Sequence, residues 1–349
     1  MAAQKTILVT GASGFIAAHV LNSFLEAGYA VRGTVRSEAT AEKVRQSHAK
    51  YADRLSLVIV PDMGVLDAFD NAVKGVDGVI HTATPFQVEV DDNERDLLRP
   101  AIDGTVNILQ SVKKYAPQVN RVVITSSFAA IADLSKGNRP GHTYTEADWN
   151  PATYEEAAKP TTPGPFAYCA AKGLAERAAW DFVAKEKPNF DIVTLCPPMV
   201  YGPNVNGTAT LSKLNTSSAD IYRLMSPTNK PTDPVPTNMF WSFVDVRDVA
   251  LAHLRAYEVP QAGGQRFFLC KGNFSYQQMV DILREKVPEV RDRVPIGKPG
   301  SGFGGVELYK TDSSKAQKIL GIQFRELEES VVDAARSFLE LEKKEGVAA

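Results

Sequence analysis

The sequence predicts an α/β protein built on a doubly wound parallel sheet, with a smaller, mostly C-terminal second domain. Three observations carry that expectation. Strand-length apolar runs alternate with helically periodic stretches through the first part of the chain. A turn of small residues, Gly11-x-x-Gly14-x-x-Ala17, separates the first apolar run from the first helical stretch. Beyond residue 203 the composition shifts to Asn, Thr, Ser and Pro.

Thr6-Ile7-Leu8-Val9-Thr10 is a continuous apolar run, as expected of a strand buried on both faces. Phe15, Ile16, His19, Val20, Phe24 and Leu25 recur at helical spacing, and Gly28 closes that helix. Residues 29–35, 55–60, 77–81, 121–125 and 191–195 read as further strands. Residues 41–51, 66–74, 97–115 and 166–185 read as helices, the last being rich in Ala, Glu and Lys. Residues 133–165 hold Pro140, Pro151, Pro160, Pro163 and Pro165, and read as a surface excursion. Residues 203–240 suit loops and short helices, the run from Trp241 to Ala250 opens a further helix, and 265–269 adds a strand. The Gly-rich run 300–305 follows no clear strand and reads as a mobile loop rather than a phosphate cradle. The expected division is a dinucleotide-binding domain over 1–200, rejoined by 241–270, and a substrate domain over 201–240 and 271–349.

Composition narrows the function. The 349 residues carry a net charge of -2, which argues against nucleic acid as a partner. No run approaches the roughly 20 apolar residues of a membrane helix, and no signal peptide opens the chain. Cys169, Cys196 and Cys270 are three and widely spaced, which suits a reducing compartment, and the five histidines form no short ligand motif. A cytoplasmic protein without a metal, monomeric or homodimeric, is expected.

In the small-residue turn, backbone N–H groups and a helix N-terminus can receive a pyrophosphate. The contacts expected there are Gly11, Ser13, Gly14, Phe15 and Ile16. Many NAD sites place an acid at the end of the second strand. Here that region reads Val31-Arg32-Gly33-Thr34-Val35-Arg36-Ser37. Arg36 stands where a guanidinium can bind a 2′-phosphate bidentately, and Arg32 can point the same way, so NADPH is expected over NADH. Asp62 and Met63 follow the third strand and are candidates to hold adenine; Thr82, Ala83 and Thr84 follow the fourth and are candidates to line the dinucleotide.

Tyr168 and Lys172 lie one helical turn apart and share a face. An adjacent ammonium favours phenolate, so Tyr168 is expected to have a lowered pKa and to release a proton near neutral pH. Ser127, just past the fifth strand, can hold a carbonyl oxygen beside it. Phe86, Phe128, Phe166 and Tyr201 are candidate walls of an apolar substrate pocket, with ordinary core packing as the alternative for each.

These motifs, with Cys196-Pro197-Pro198-Met199-Val200-Tyr201-Gly202-Pro203 and the run Phe243 to Ala250, resemble the extended short-chain dehydrogenase/reductase family. Within it the chain looks most like the branch of dihydroflavonol-4-reductase-like and yeast methylglyoxal or aldehyde reductase-like enzymes. The resemblance runs from about Lys5 to Phe324, and Ala17 where many members have Gly is a mild departure. It implies a Rossmann-type fold, a Ser127–Tyr168–Lys172 triad with Ser127 rather than Ser126, and nicotinamide packing from Pro197 to Val200. Asn107 matches a position that either ties Lys172 to a water chain or packs the helix. The implied activity is NADPH-dependent reduction of a small-molecule aldehyde or ketone. The alternatives are a nucleotide-sugar epimerase or dehydratase, and a non-catalytic NADP(H)-binding regulator.

Overall fold

The computed structural model describes residues 4–84, 90–207 and 209–347. In chain order the strands are β1 (Thr6–Thr10), β2 (Ala30–Val35), β3 (Leu55–Ile59), β4 (Gly78–His81), β5 (Arg121–Thr125), β6 (Thr143–Tyr144), β7 (Asp191–Cys196), β8 (Met199–Tyr201), β9 (Ser242–Asp245), β10 (Arg266–Phe268), β11 (Gly272–Asn273) and β12 (Lys310–Thr311). The α-helices are α1 (Phe15–Glu26), α2 (Glu38–Ser47), α3 (Arg99–Tyr115), α4 (Tyr154–Ala157), α5 (Gly164–Glu186), α6 (Thr216–Leu224), α7 (Val246–Glu258), α8 (Tyr276–Lys286), α9 (Ser314–Leu320) and α10 (Leu327–Glu345).

Seven strands form one parallel sheet in the order β10-β7-β5-β4-β1-β2-β3. Strand period two divides each strand between two cores. Ile7 and Val9 face a layer containing Val20, Phe24 and Val249, from α1 and α7. Leu8 faces the opposite layer with Ile108, Val112 and Ala179, from α3 and α5. The chain order reverses between β1 and β4, so the ends of β1, β2, β4, β5 and β7 converge on the crevice where such sheets bind ligands.

A second core joins Tyr201, Ile221, Phe243, Phe274, Met279, Val331 and Phe338, drawn from α6, α8, α10 and the small β8–β9–β11 sheet. Asp245 and Asp248 at the start of α7 fasten the C-terminal helix region: Arg247 bonds Asp245 and Asp333, Ser330 Oγ donates to Asp245 at 2.8 Å, and Arg325 pairs with Asp248. Ala316, Leu320 and Ile322 pack on the α1–α7 side of the large sheet.

Two local expectations are corrected, and one strand is added to them. Residues 66–74 form turns, not a helix. Side chains from outside claim carbonyls at both ends: Asn107 Nδ2 donates to those of Met63, Gly64 and Val65 just before the stretch, and Arg32 Nη1 to those of Ala72 and Lys74 at its end, while Asp67 sits at φ 65°. The stretch from Trp241 begins as strand β9 before Asp245 caps α7 by accepting from the Arg247 N–H. β8 was absent from the expectation, since three residues carry no readable alternation and its partner β9 lies some forty residues on. The 300–305 loop is tied down at several points: the Gly300 N–H donates to Asp281 Oδ2 at 2.9 Å, Ser275 Oγ donates to the Gly302 carbonyl at 2.7 Å, and the Phe303 ring meets Trp241 edge-on.

Candidate active site

The small-residue turn is shaped by what surrounds it. Gly11 adopts φ +68°, and a Cβ there would lie 3.0 Å from Ala83 Cα, so glycine answers both a backbone and a space requirement. The Gly11 N–H donates to Thr34 Oγ1 at 3.0 Å and Ala12 N–H to the Thr34 carbonyl at 2.8 Å, which hold the turn against β2. Among the described residues Gly14 precedes α1 with no side-chain cap, so first-turn N–H groups can face a ligand. Thr10 Oγ1 accepts from the N–H groups of Thr82 and Ala83, both at 3.1 Å, and fastens the chain leaving β4 over the turn. Thr84 is exposed beside them. This cradle, which a Cβ would fill, fits a dinucleotide pyrophosphate.

Arg36 is exposed just beyond β2 and makes no hydrogen bond or ion pair among the described residues. Arg32 departs from expectation: its guanidinium is committed to the Ala72 and Lys74 carbonyls at 2.9 and 2.6 Å. Asp62 is exposed and accepts from the Gly64 N–H at 2.8 Å. Met63 packs over Gly104 of α3, where a Cβ would lie 2.4 Å from Met63 Cε. Asn107 holds the carbonyls of 63–65 rather than reaching toward Lys172.

At the end of β5 the two serines diverge. Ser126 is buried, and its Oγ donates to Glu176 at 2.5 Å. Ser127 is half-buried and caps a short 3-10 turn, its Oγ accepting from the Ala129 N–H at 3.1 Å. Tyr168 on α5 shares a hydrogen bond with Ser127. Lys172 is 8% exposed, and its Nζ donates to the Thr125 carbonyl at 3.3 Å. Ser127, Tyr168 and Lys172 are thus brought together from β5 and α5.

The electrostatics correct the expected phenol. Loss of solvent pushes the Tyr168 pKa above its ordinary value, and the Ser127 hydrogen bond opposes this only in part. The phenol therefore stays protonated at neutral pH, the form a proton donor needs. Lys172 carries the opposite shift, down to about 8, because burial disfavours its charge while Glu176 opposes the fall. His81, bonded to Thr10 Oγ1 through Nδ1, is driven down to about 3 by burial and by Lys172, and stays neutral.

Pro197 is buried, its carbonyl accepting from the Phe128 N–H at 2.8 Å, and Val200 is buried in β8. Two candidate wall residues prove to be core. Phe128 stacks on Phe268 at 5.0 Å and meets Tyr144 edge-on, because the 3-10 turn carries its ring inward. Tyr201 is 1% exposed against Phe274, with its hydroxyl on Asp220. Phe166 is half-buried on the first turn of α5. Phe86 lies outside the described residues.

A buried layer lies beneath this site: Ser126, Thr194 and Arg266 all donate to the Glu176 carboxylate. One signal was available, since Glu176 follows Lys172 by four residues on the face that also carries Cys169.

Comparison with known proteins agrees with this geometry. Residues 7–270 match the model of the NAD dependent epimerase/dehydratase family. The NADPH-dependent methylglyoxal reductase GRE2 of Saccharomyces cerevisiae is 39% identical over 97% of this chain and 99% of that protein. The ketoreductase azaE of Aspergillus niger is 41% identical over 96% of this chain and 98% of that protein. The crystal structure of yeast methylglyoxal/isovaleraldehyde reductase Gre2 complexed with NADPH matches with a TM-score of 0.90 at 38% identity, covering 98% of this chain and 100% of that one. With a Rossmann-type sheet, a small-residue cradle and full-length likeness to these reductases, the chain belongs to the NAD dependent epimerase/dehydratase family, the extended short-chain dehydrogenases/reductases.

Proposed function

We propose that the chain is an NADPH-dependent carbonyl reductase that converts aldehydes and ketones to alcohols. One observation carries the reading: a protonated Tyr168 phenol shares a hydrogen bond with Ser127, one helical turn from Lys172, at the sheet end that holds the Gly11 turn. Gly11, Ser13, Gly14, Phe15 and Ile16 would hold the pyrophosphate and Arg36 the 2′-phosphate. Asp62, Met63, Thr82, Ala83 and Thr84 would flank the adenosine and the pyrophosphate bridge, and Pro197 and Val200 the nicotinamide. NADPH, when bound, supplies the hydride that reaches the carbonyl carbon.

The chain's own residues do the rest. Ser127 orients the carbonyl oxygen with its hydroxyl. Tyr168 gives its proton to that oxygen as negative charge develops there, so the product is the neutral alcohol. The phenolate left behind is costly in a buried place, and the Lys172 ammonium offsets that cost. Lys172 is also placed to hold the ribose. Phe166 is the wall residue retained, and an aromatic wall favours an apolar or aromatic carbonyl compound.

Arg36 and the lack of an acid at the end of β2 weigh against the epimerase or dehydratase reading. The intact Ser127, Tyr168 and Lys172 weigh against a non-catalytic regulator. Three free, buried cysteines suit the cytoplasm. No helix among the described residues is long and apolar enough to cross a membrane. A monomer or homodimer completes the proposal. The deciding experiment follows NADPH oxidation against aldehydes, diketones and aryl ketones. Turnover with NADPH well above NADH is expected. Activity confined to nucleotide sugars would overturn the reading.

A further inference from the structure

Beneath Ser127 and Tyr168 lies a charge that the proposed reduction does not yet use. Glu176 is 2% exposed and follows Lys172 by one turn of α5, so both side chains leave the helix on one face. Thr194 of β7 donates to Glu176 Oε1 at 2.7 Å, and Ser126 at the end of β5 donates to Oε2 at 2.5 Å. Arg266 of β10 closes the far side, with Nε 2.7 Å from Oε1 and Nη2 3.1 Å from Oε2. Its other donors reach the carbonyls of Ala130, Glu146 and Asp148, and its guanidinium lies 3.7 Å over the Trp149 ring. The anion is thus fixed in place from β5, β7 and β10 together.

The neighbours of Lys172 make that anion singular. Tyr168 and Glu176 share its helix, His81 acts on it from β4, the Thr125 carbonyl from β5 and the Cys196 thiol from β7, with Arg266 behind Glu176. Burial keeps His81 and Cys196 neutral, while Arg266 and the hydroxyl donors outweigh burial and keep Glu176 ionised. Glu176 is the one carboxylate in the set.

We propose that Glu176 is a positioning residue of the reduction: its carboxylate supplies the counter-charge for the buried Lys172 ammonium and, through Ser126, fixes the peptide that sets Ser127 beside Tyr168. An ammonium without solvent and without an anion gives up its proton more readily. A neutral Lys172 cannot offset a Tyr168 phenolate. With Glu176 present the ammonium already gives way at about 8. Loss of the anion moves that point lower still, and the alkaline limb of turnover moves with it.

The inference rests on the proposed carbonyl reduction, and titrating Lys172 separates the two. The full chain is labelled with 15N at lysine Nζ, and Lys172→Arg identifies the signal. In Glu176→Gln the Lys172 midpoint is expected to fall by about one to two pH units. The alkaline limb of kcat should fall by the same amount, with KM for the carbonyl compound changing less than kcat. Glu176→Asp keeps the anion and should stay nearer the wild type on both readouts. Glu176→Gln strands Arg266 without its partner, a change that can prevent folding. The double variant Glu176→Gln/Arg266→Gln removes both charges and should show the same fall. An unmoved Lys172 midpoint in either folded variant overturns the proposal, as does an Asp variant indistinguishable from Gln. If the wild type reduces no carbonyl compound, the functional reading fails while the titration still decides the role of Glu176.

Discussion

Ser126 and Ser127 are neighbours in the chain and belong to different regions of the molecule. Ser127 stands at the rim of the sheet, half-buried, with Tyr168 against it and the exposed Arg36 across the crevice. Ser126 points down into a layer in which it, Thr194 and Arg266 all donate to Glu176. The same residue type therefore serves opposite ends. A buried hydroxyl with a charged partner locks strands to a helix, because breaking it strands an ion in a low dielectric. A rim hydroxyl beside a protonated phenol keeps capacity for a reacting oxygen.

The contrast can be broken by substitutions, in order of expected effect. Tyr168→Phe should lower kcat by about 10²–10⁴-fold, the range of general acid catalysis. Its melting temperature and NADPH binding should hold, and a large loss of stability instead would place Tyr168 with the lower layer. Arg266→Met leaves Glu176 buried without its partner and should cost about 3–5 kcal/mol in urea unfolding; a value below 1 kcal/mol, on the order of an exposed ion pair, would deny the layer its structural weight. Ser126→Ala removes one hydrogen bond to a charged group and should cost about 1.5–3 kcal/mol. Ser127→Ala, its rim counterpart, should reduce turnover with little change in stability, and identical behaviour of the two alanine variants would erase the distinction between the regions. Arg36→Ala should raise KM for NADPH by about 10- to 150-fold, the value of one charged hydrogen bond of roughly 1.5–3 kcal/mol, with KM for NADH unchanged. An equal rise for both cofactors would remove Arg36 from the 2′-phosphate.

Much of the fold was legible because its signals are local. The alternation of β1, β4 and β5 side chains between the two cores follows from strand period two, and the face shared by Tyr168 and Lys172 from helix period. The exceptions have one cause in common. Residues 66–74 read as helical, yet Asn107 and Arg32 take carbonyls before the stretch and at its end. Strands β8 and β9 find each other across some forty residues. Arg32 looks free for a phosphate until the chain folds back to bring it the carbonyls of Ala72 and Lys74.

By itself the sequence determined the α/β layering, the place of the small-residue cradle, the spacing of Tyr168 and Lys172, and the absence of an acid at the end of β2. Each depends on residues within a turn or two of one another, where backbone geometry dictates direction. The tertiary structure alone decided that Phe128 and Tyr201 are core, that the phenol is held protonated rather than ionised, and that Glu176 lies beneath Lys172 clamped by Arg266. Those outcomes depend on how strands and helices distant in sequence exclude water and share hydrogen bonds, which no local pattern encodes.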